Sequence, residues 1–333
     1  MTSRRLRGHP GPSHSESRRT AIVAILANVG VLVAKGIAAG LTGSAVMLAE
    51  TFHSAADVLN ELLLLLGVQR STRPADRLHP KGHGPDRYFW SLLAAIGIFV
   101  AGGLASIAEG ARAALDPRPL DHVPVGVAVL LLSGALEAAS WLVARRQLRQ
   151  DARAHEVDSD ELIDVTTDPT PLTVYFEDSA ALIGVGIALL TMLLRWATGA
   201  ALWDAVGSVA VGLLLCIAAA RLIGLNRRLI LGSSASPKVA DHVGDVASSQ
   251  TWVDEVASVD VLVTGPGEVS VELEVVPRND LSVDDVVRQV AELRRLLGSH
   301  EGVRSVALTL VAPRFERSRD GNTTGSFEHQ ELP

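Results

Sequence analysis

Six apolar runs, at 20–41, 45–68, 88–114, 123–145, 172–195 and 203–225, dominate the first two thirds of this chain. Each approaches the roughly 20 residues a helix needs to cross a bilayer. Backbone groups in hydrocarbon have no water to bond, so runs of this kind fold as helices that satisfy their own N–H and C=O groups. An even number of crossings puts both ends on one side. The 48% hydrophobic content, with 20% charged residues, is more apolar than one soluble core requires and leaves polar ends. The connections after the first, third and fifth runs carry little positive charge. Those after the second and fourth hold Arg70, Arg73, Arg77, Lys81 and Arg87, then Arg145, Arg146, Arg149 and Arg153, and Arg227 and Arg228 follow the sixth. That asymmetry predicts cytosolic termini.

The first 19 residues are polar and include Arg4, Arg5, Arg7, Arg18 and Arg19, so a cleavable signal peptide is not expected. Residues 1–18 read as a disordered cytosolic tail, 19–231 as the six-helix membrane domain, and 148–170 within it as a charged, partly helical linker. After Leu231 the pattern changes. A helix near 237–249 precedes the period-two stretches ASVDVLVT and EVSVELEVV, then the helix SVDDVVRQVAELRRLLGSH and the strand VRSVALTLVA. An αββαβ order predicts a two-layer α+β domain over 232–315. Residues 316–333 read as a second disordered tail. The net charge of −7 is spread out and gives no sign of a nucleic-acid partner, and the lone Cys216 has no internal disulfide partner.

Within the second run, Glu50, His53, Asp57, Asn60 and Glu61 recur at spacings of three and four, which place them on one helical stripe. An ionisable group at the bilayer centre costs about 2.5 to 3.5 kcal/mol on insertion scales, so such a row needs compensation, and a bound divalent cation supplies it. The competing reading is hydrogen-bonding glue between helices, which suits Asn60 best; Glu61 reads as a packing or helix-end residue. His53 and Asp57, one turn apart, can reach the same ion, with Glu50 as a further candidate ligand. The fifth run brings Glu177 and Asp178. Because neighbours on a helix point about 100° apart, only one of the two is expected to face the site. The loop DRLHPKGHGPDRYF offers Asp76, His79 and His83 at metal-ligand intervals, as an accessory site or simply as a solvated connector. Asn28, Lys35, Glu109, Glu137 and Asp204 are further polar groups in the spans, and Lys35 is one conceivable partner for Glu137.

Six spans, HSxxD in the second, a GHG loop leading into RYFWSL, acids early in the fifth and a C-terminal αββαβ unit together resemble the cation diffusion facilitator family, over about residues 20–315. The resemblance implies a homodimeric metal/proton antiporter that exports Zn²⁺, Fe²⁺, Mn²⁺ or Co²⁺, with a ferredoxin-like cytosolic domain as dimer clamp. It assigns His53, Asp57 and Asp178 to the transport site and Asp76, His79 and His83 to a loop site. Many members carry a histidine four residues before the fifth-helix Asp. Here that position is Val174, so Glu177 or Glu50 is the candidate for the missing ligand. One nitrogen among several oxygens keeps Zn²⁺ as the leading substrate and raises Fe²⁺, Mn²⁺ and Co²⁺. Neither an organic cofactor nor an enzymatic activity is expected. The alternative is a non-transporting metal sensor of the same fold. A composition rich in Ala, Val, Arg and Gly and poor in Lys suggests a high-GC bacterial chain, hence the plasma membrane.

Overall fold

The computed structural model describes residues 14–154, 167–235, 237–300 and 302–312. The rest of the expected tails and residues 155–166 of the linker lie outside the described residues. Six helices are long and apolar enough to cross a membrane. They are α1 (His14–Thr42), α2 (Ala45–Ser71), α3 (Asp86–Leu115), α4 (Val123–Ala154), α5 (Thr170–Thr198) and α6 (Leu202–Ile230). Two extend beyond the apolar runs: α1 begins at His14, inside the expected tail, and α4 continues to Ala154.

Gly43, at φ +65°, turns the chain tightly between α1 and α2, where the left-handed region favours glycine. Ser44 then caps α2, its hydroxyl accepting from the Met47 N–H at 3.3 Å. α3 is not a uniform α-helix, because Ile98–Leu104 is wound as a π-helix. Two glycines sit in that stretch against α6. A Cβ on Gly103 would lie 2.6 Å from Cys216 Sγ, and one on Gly212 would lie 2.7 Å from the Gly103 carbonyl. Small residues thus let two backbones meet, as is common for helices in lipid. Apolar content alone does not distinguish the two windings.

Beyond α6 the C-terminal unit runs α7 (Pro237–Ser248), β1 (Val253–Gly265), β2 (Glu268–Pro277), α8 (Val283–Gly298) and β3 (Val303–Leu310). The strands lie in the order β1-β2-β3, the first pair antiparallel and the second parallel. Val261, Val263, Val271, Leu273 and Val275 are buried, whereas Asp260, Glu272 and Glu274 are exposed, which is the alternation expected of a sheet covered on one face. The parallel β2–β3 pairing requires a crossover, and α8 supplies it.

The two parts share one apolar cluster. Tyr88, Leu148, Leu172, Leu225 and Leu229 from the spans pack with the sheet residues and with Trp252, Leu293 and Leu297. The α2–α3 loop lies on the β1–β2 hairpin so closely that a Cβ on Gly84 would fall 2.8 Å from Gly265 Cα. Gly267 donates its N–H to Thr167 Oγ1 at 2.9 Å, and the Tyr88 hydroxyl donates to the Thr167 carbonyl at 2.8 Å. The bundle therefore has a domain end, bearing the sheet, and a far end.

Candidate functional site

In the domain half of the bundle, α1, α2, α4 and α5 surround a cavity of about 120 Å³. Asp57, Asn60 and Glu61 from α2 line it, opposite Val174, Glu177 and Asp178 from α5, with Asn28 from α1 and Glu137 and Ser140 from α4. His53 is 1% exposed and lies one turn farther from the domain end. Its Nδ1 is 3.4 Å from Asp57 Oδ1, so the imidazole meets the cavity through Asp57.

Both acids of α5 reach the cavity, contrary to the expectation that only one would. The cavity has walls on two sides of α5: Glu177 turns toward α2, where Asn60 Nδ2 donates to it at 2.6 Å, and Asp178 turns toward α4, where Ser140 Oγ donates at 2.7 Å. Asn60 and Glu61, read from sequence as packing or helix-end residues, also belong to the cavity wall. Asn60 joins α2 to α5, and Glu61 accepts from Asn28 Nδ2 at 2.6 Å. Val174 is on the same wall, so the position where a histidine is common in similar proteins faces the cavity as an apolar side chain.

Glu50 is placed differently. It is fully buried outside the cavity lining, in an ion pair of 3.0 Å with Lys35, itself fully buried. Lys35 thus pairs with Glu50 and not with Glu137. The reason is geometric: α1 and α2 form a hairpin about Gly43, and Lys35 lies eight residues before that turn and Glu50 seven after it.

Several buried acceptors near the cavity have no hydrogen-bond donor: Asp57 Oδ1, Asn60 Oδ1, Glu61 Oε2 and Glu177 Oε1; neither ring nitrogen of His53, one a donor and one an acceptor in the neutral imidazole, has a hydrogen-bond partner. Unmet acceptors in a low-dielectric interior are costly. A divalent cation accepts electron pairs, so it can satisfy such oxygens and the unprotonated nitrogen of the imidazole.

The loop triad is more compact. Asp76, His79 and His83 are the one group of three such residues, among the described residues, whose ligand atoms all lie within 4.8 Å of one another. Asp76 accepts from the N–H groups of His79 at 2.7 Å and Leu78 at 2.8 Å, which fixes its carboxylate, and the His79 and His83 rings lie 4.1 Å apart. Hydrogen bonds, led by the one from the His79 backbone, hold the Asp76 carboxyl well below the usual carboxylate range, so it is ionised at neutral pH. Gly82, at φ +82°, closes the turn after His79, its N–H donating to the His79 carbonyl at 2.9 Å. The expected outcome for His79→Ala with His83→Ala is a loss of roughly 100-fold in Zn²⁺ affinity at this loop, read by titration of the purified chain. Unchanged affinity would leave the loop as a connector.

The family description that matches this chain is the cation efflux transmembrane domain, over residues 21–231. The chain belongs to the cation diffusion facilitator family. Its relatives include the human "Proton-coupled zinc antiporter SLC30A9, mitochondrial", 33% identical over 261 residues, which cover 77% of this chain and 46% of that one. Another is "Metal tolerance protein C4" of Arabidopsis thaliana, 32% identical over 259 residues, 78% of this chain and 57% of that one. A shorter match, 32% over 80 residues, joins 24% of this chain to 25% of the "Magnetosome protein MamM" of Paramagnetospirillum magneticum. The chain spans about half the length of the first curated relatives it matches. Six candidate spans and a three-stranded C-terminal domain fit this cation diffusion facilitator as a multi-pass membrane protein.

Proposed function

We propose that this chain is a divalent metal cation transporter of the plasma membrane that exports Zn²⁺, with Fe²⁺, Mn²⁺ and Co²⁺ as further substrates, in exchange for protons. The observation that carries this reading is the carboxylate-lined cavity inside the spans, several of whose buried oxygens lack donors. The relatives named as a proton-coupled zinc antiporter and a metal tolerance protein support it. His53, Asp57 and Asp178 are the proposed ligands, with Glu177 on the adjoining wall. Glu50, engaged by Lys35, is a weaker candidate than its position in the stripe suggested.

Coupling follows from the ligand chemistry. A cation binds to neutral His53 and ionised Asp57 and Asp178, and protons compete for the same atoms. Metal taken up from the domain end is released when the helices rock open at the far end, and protons return on the same groups. In this scheme both termini are cytosolic and the C-terminal domain clamps a homodimer.

The test is flux. Purified protein in liposomes with an acidic lumen is expected to accumulate external Zn²⁺ while the lumen becomes alkaline. Binding of Zn²⁺ with no flux under that gradient would instead favour the non-transporting metal sensor.

A further inference from the structure

We infer that the cavity holds a second cation station, made of oxygens alone, on the domain side of His53 and Asp57. Its donors are Asn60 Oδ1, Glu61 Oε2 and Glu177 Oε1, and its ligand class is a partly hydrated, oxygen-preferring divalent cation. The inference rests on the transport-cavity reading given above.

Asn60 is the residue that decides it. Its side chain is 1% exposed. Its Nδ2 donates to Glu177 Oε2 at 2.6 Å, which fixes the amide and leaves Oδ1 as the free end, buried and without a donor. Glu61 is held in the same way, with Oε1 accepting from Asn28 and Oε2 left unmatched, and Glu177 retains an unmatched Oε1. Two amides therefore grip two carboxylates from behind, Glu61 on the α2 wall of the cavity and Glu177 on the facing α5 wall, and the unmatched ends are all acceptors. Helix packing alone needs the amide-to-carboxylate bonds and gains nothing from the unmatched oxygens. Three oxygens complete their shell with water around a hard cation, which needs six or more oxygen ligands. They lack the imidazole found one to two turns deeper at His53. An ion at this station would keep part of its hydration and exchange water for the His53 nitrogen on moving inward, so softness would be tested at the second step and not at the first.

The experiment uses the full chain with Asp76→Ala, His79→Ala and His83→Ala, which empties the loop, purified in detergent and titrated with Mn²⁺. Electron spin-echo spectra separate Mn²⁺ that carries imidazole ¹⁴N modulation from Mn²⁺ that does not. The expected result is both populations. Asn60→Leu and Glu61→Gln each weaken the unmodulated population by about 10-fold or more. Asn60→Asp, which keeps an oxygen at that place while giving up the bond to Glu177, retains more of it than Asn60→Leu, and this partial rescue separates ligand loss from misfolding. His53→Ala removes only the modulated population. The inference is overturned if the unmodulated population is absent, so that the oxygens hold water only, or if it is indifferent to both Asn60→Leu and Glu61→Gln. If instead His53→Ala changes nothing while Glu61→Gln removes the unmodulated signal, the station stands and the assignment of His53 to transport falls.

Discussion

Asp57→Ala abolishes proton-driven Zn²⁺ uptake into vesicles, with the rate falling at least about 100-fold, while the protein still elutes as a folded species. The size of the effect follows from position. Asp57 joins the stripe on α2 to the cavity: it lines the cavity, and its buried Oδ1, 3.4 Å from His53 Nδ1, accepts no hydrogen bond. Changing groups that merely orient a metal ligand costs 10- to 100-fold in affinity, and a carboxylate that binds the ion and the competing proton should cost at least the upper figure. Asp57→Asn separates charge from shape, because an amide fills the same volume but takes up no proton in this range. Asparagine is expected to bind metal weakly and to show no dependence of residual flux on the proton gradient. Retention of wild-type flux by either variant would remove Asp57 from the mechanism.

The second large effect lies at the far end of the bundle and concerns stability. Asp204, 1% exposed, accepts from Ser44 Oγ at 2.5 Å and from the N–H groups of Ala45 and Val46, and its Oδ2 pairs with Arg195 Nη1 at 2.6 Å. One α6 carboxylate thus satisfies the first N–H groups of α2 and binds α5, at a helix terminus where negative charge is favourable. Asp204→Ala leaves Arg195 buried without its carboxylate and the α2 terminus short of acceptors. Breaking a buried pair from one side costs about 3–5 kcal/mol. The apparent melting midpoint in detergent should fall on the order of 10 °C. Arg195→Ala should cost less, because Asp204 would still hold three donors from α2. Equal losses from the two variants would mean that the ion pair, and not the cap, carries the effect.

The positions of the spans were legible because each is a long apolar run whose backbone has one way to satisfy itself in lipid. The C-terminal order was equally plain, since the strand alternation of Val261, Val263, Leu273 and Val275 differs in period from the helices beside it. Pairings between helices were harder to read. The alignment of Lys35 with Glu50, and of Asn28 with Glu61, follows from folding α1 on α2 about Gly43, a signal present in the spacing from that glycine. Glu177 and Asp178 misled because helical geometry gives their divergence but not the number of walls around them. The π-winding of Ile98–Leu104 lies where Gly102 and Gly103 meet α6, a contact that no local pattern contains. His53 and Asp57 stood out for a simpler reason, the cost of charge in hydrocarbon, which does not depend on knowing the partner, whereas the choice of Asp178 over Glu177 came from the family resemblance.

The buried ion pair of Lys35 and Glu50 also bears on how the membrane voltage acts on this protein. A lysine and a glutamate 3.0 Å apart move as a neutral unit, so an electric field across the bilayer exerts almost no net force on them. In the proposed transport cycle this pair then adds nothing to the electrical work, which falls to the cargo and to the ionisable groups of the cavity. Glu50→Gln would leave Lys35 as an uncompensated charge, on which the field does work in proportion to how far the lysine moves, about 2.3 kcal/mol for each 100 mV it crosses. Where helix rocking carries Lys35 part-way across the field, transport would then acquire a voltage dependence that the native pair suppresses.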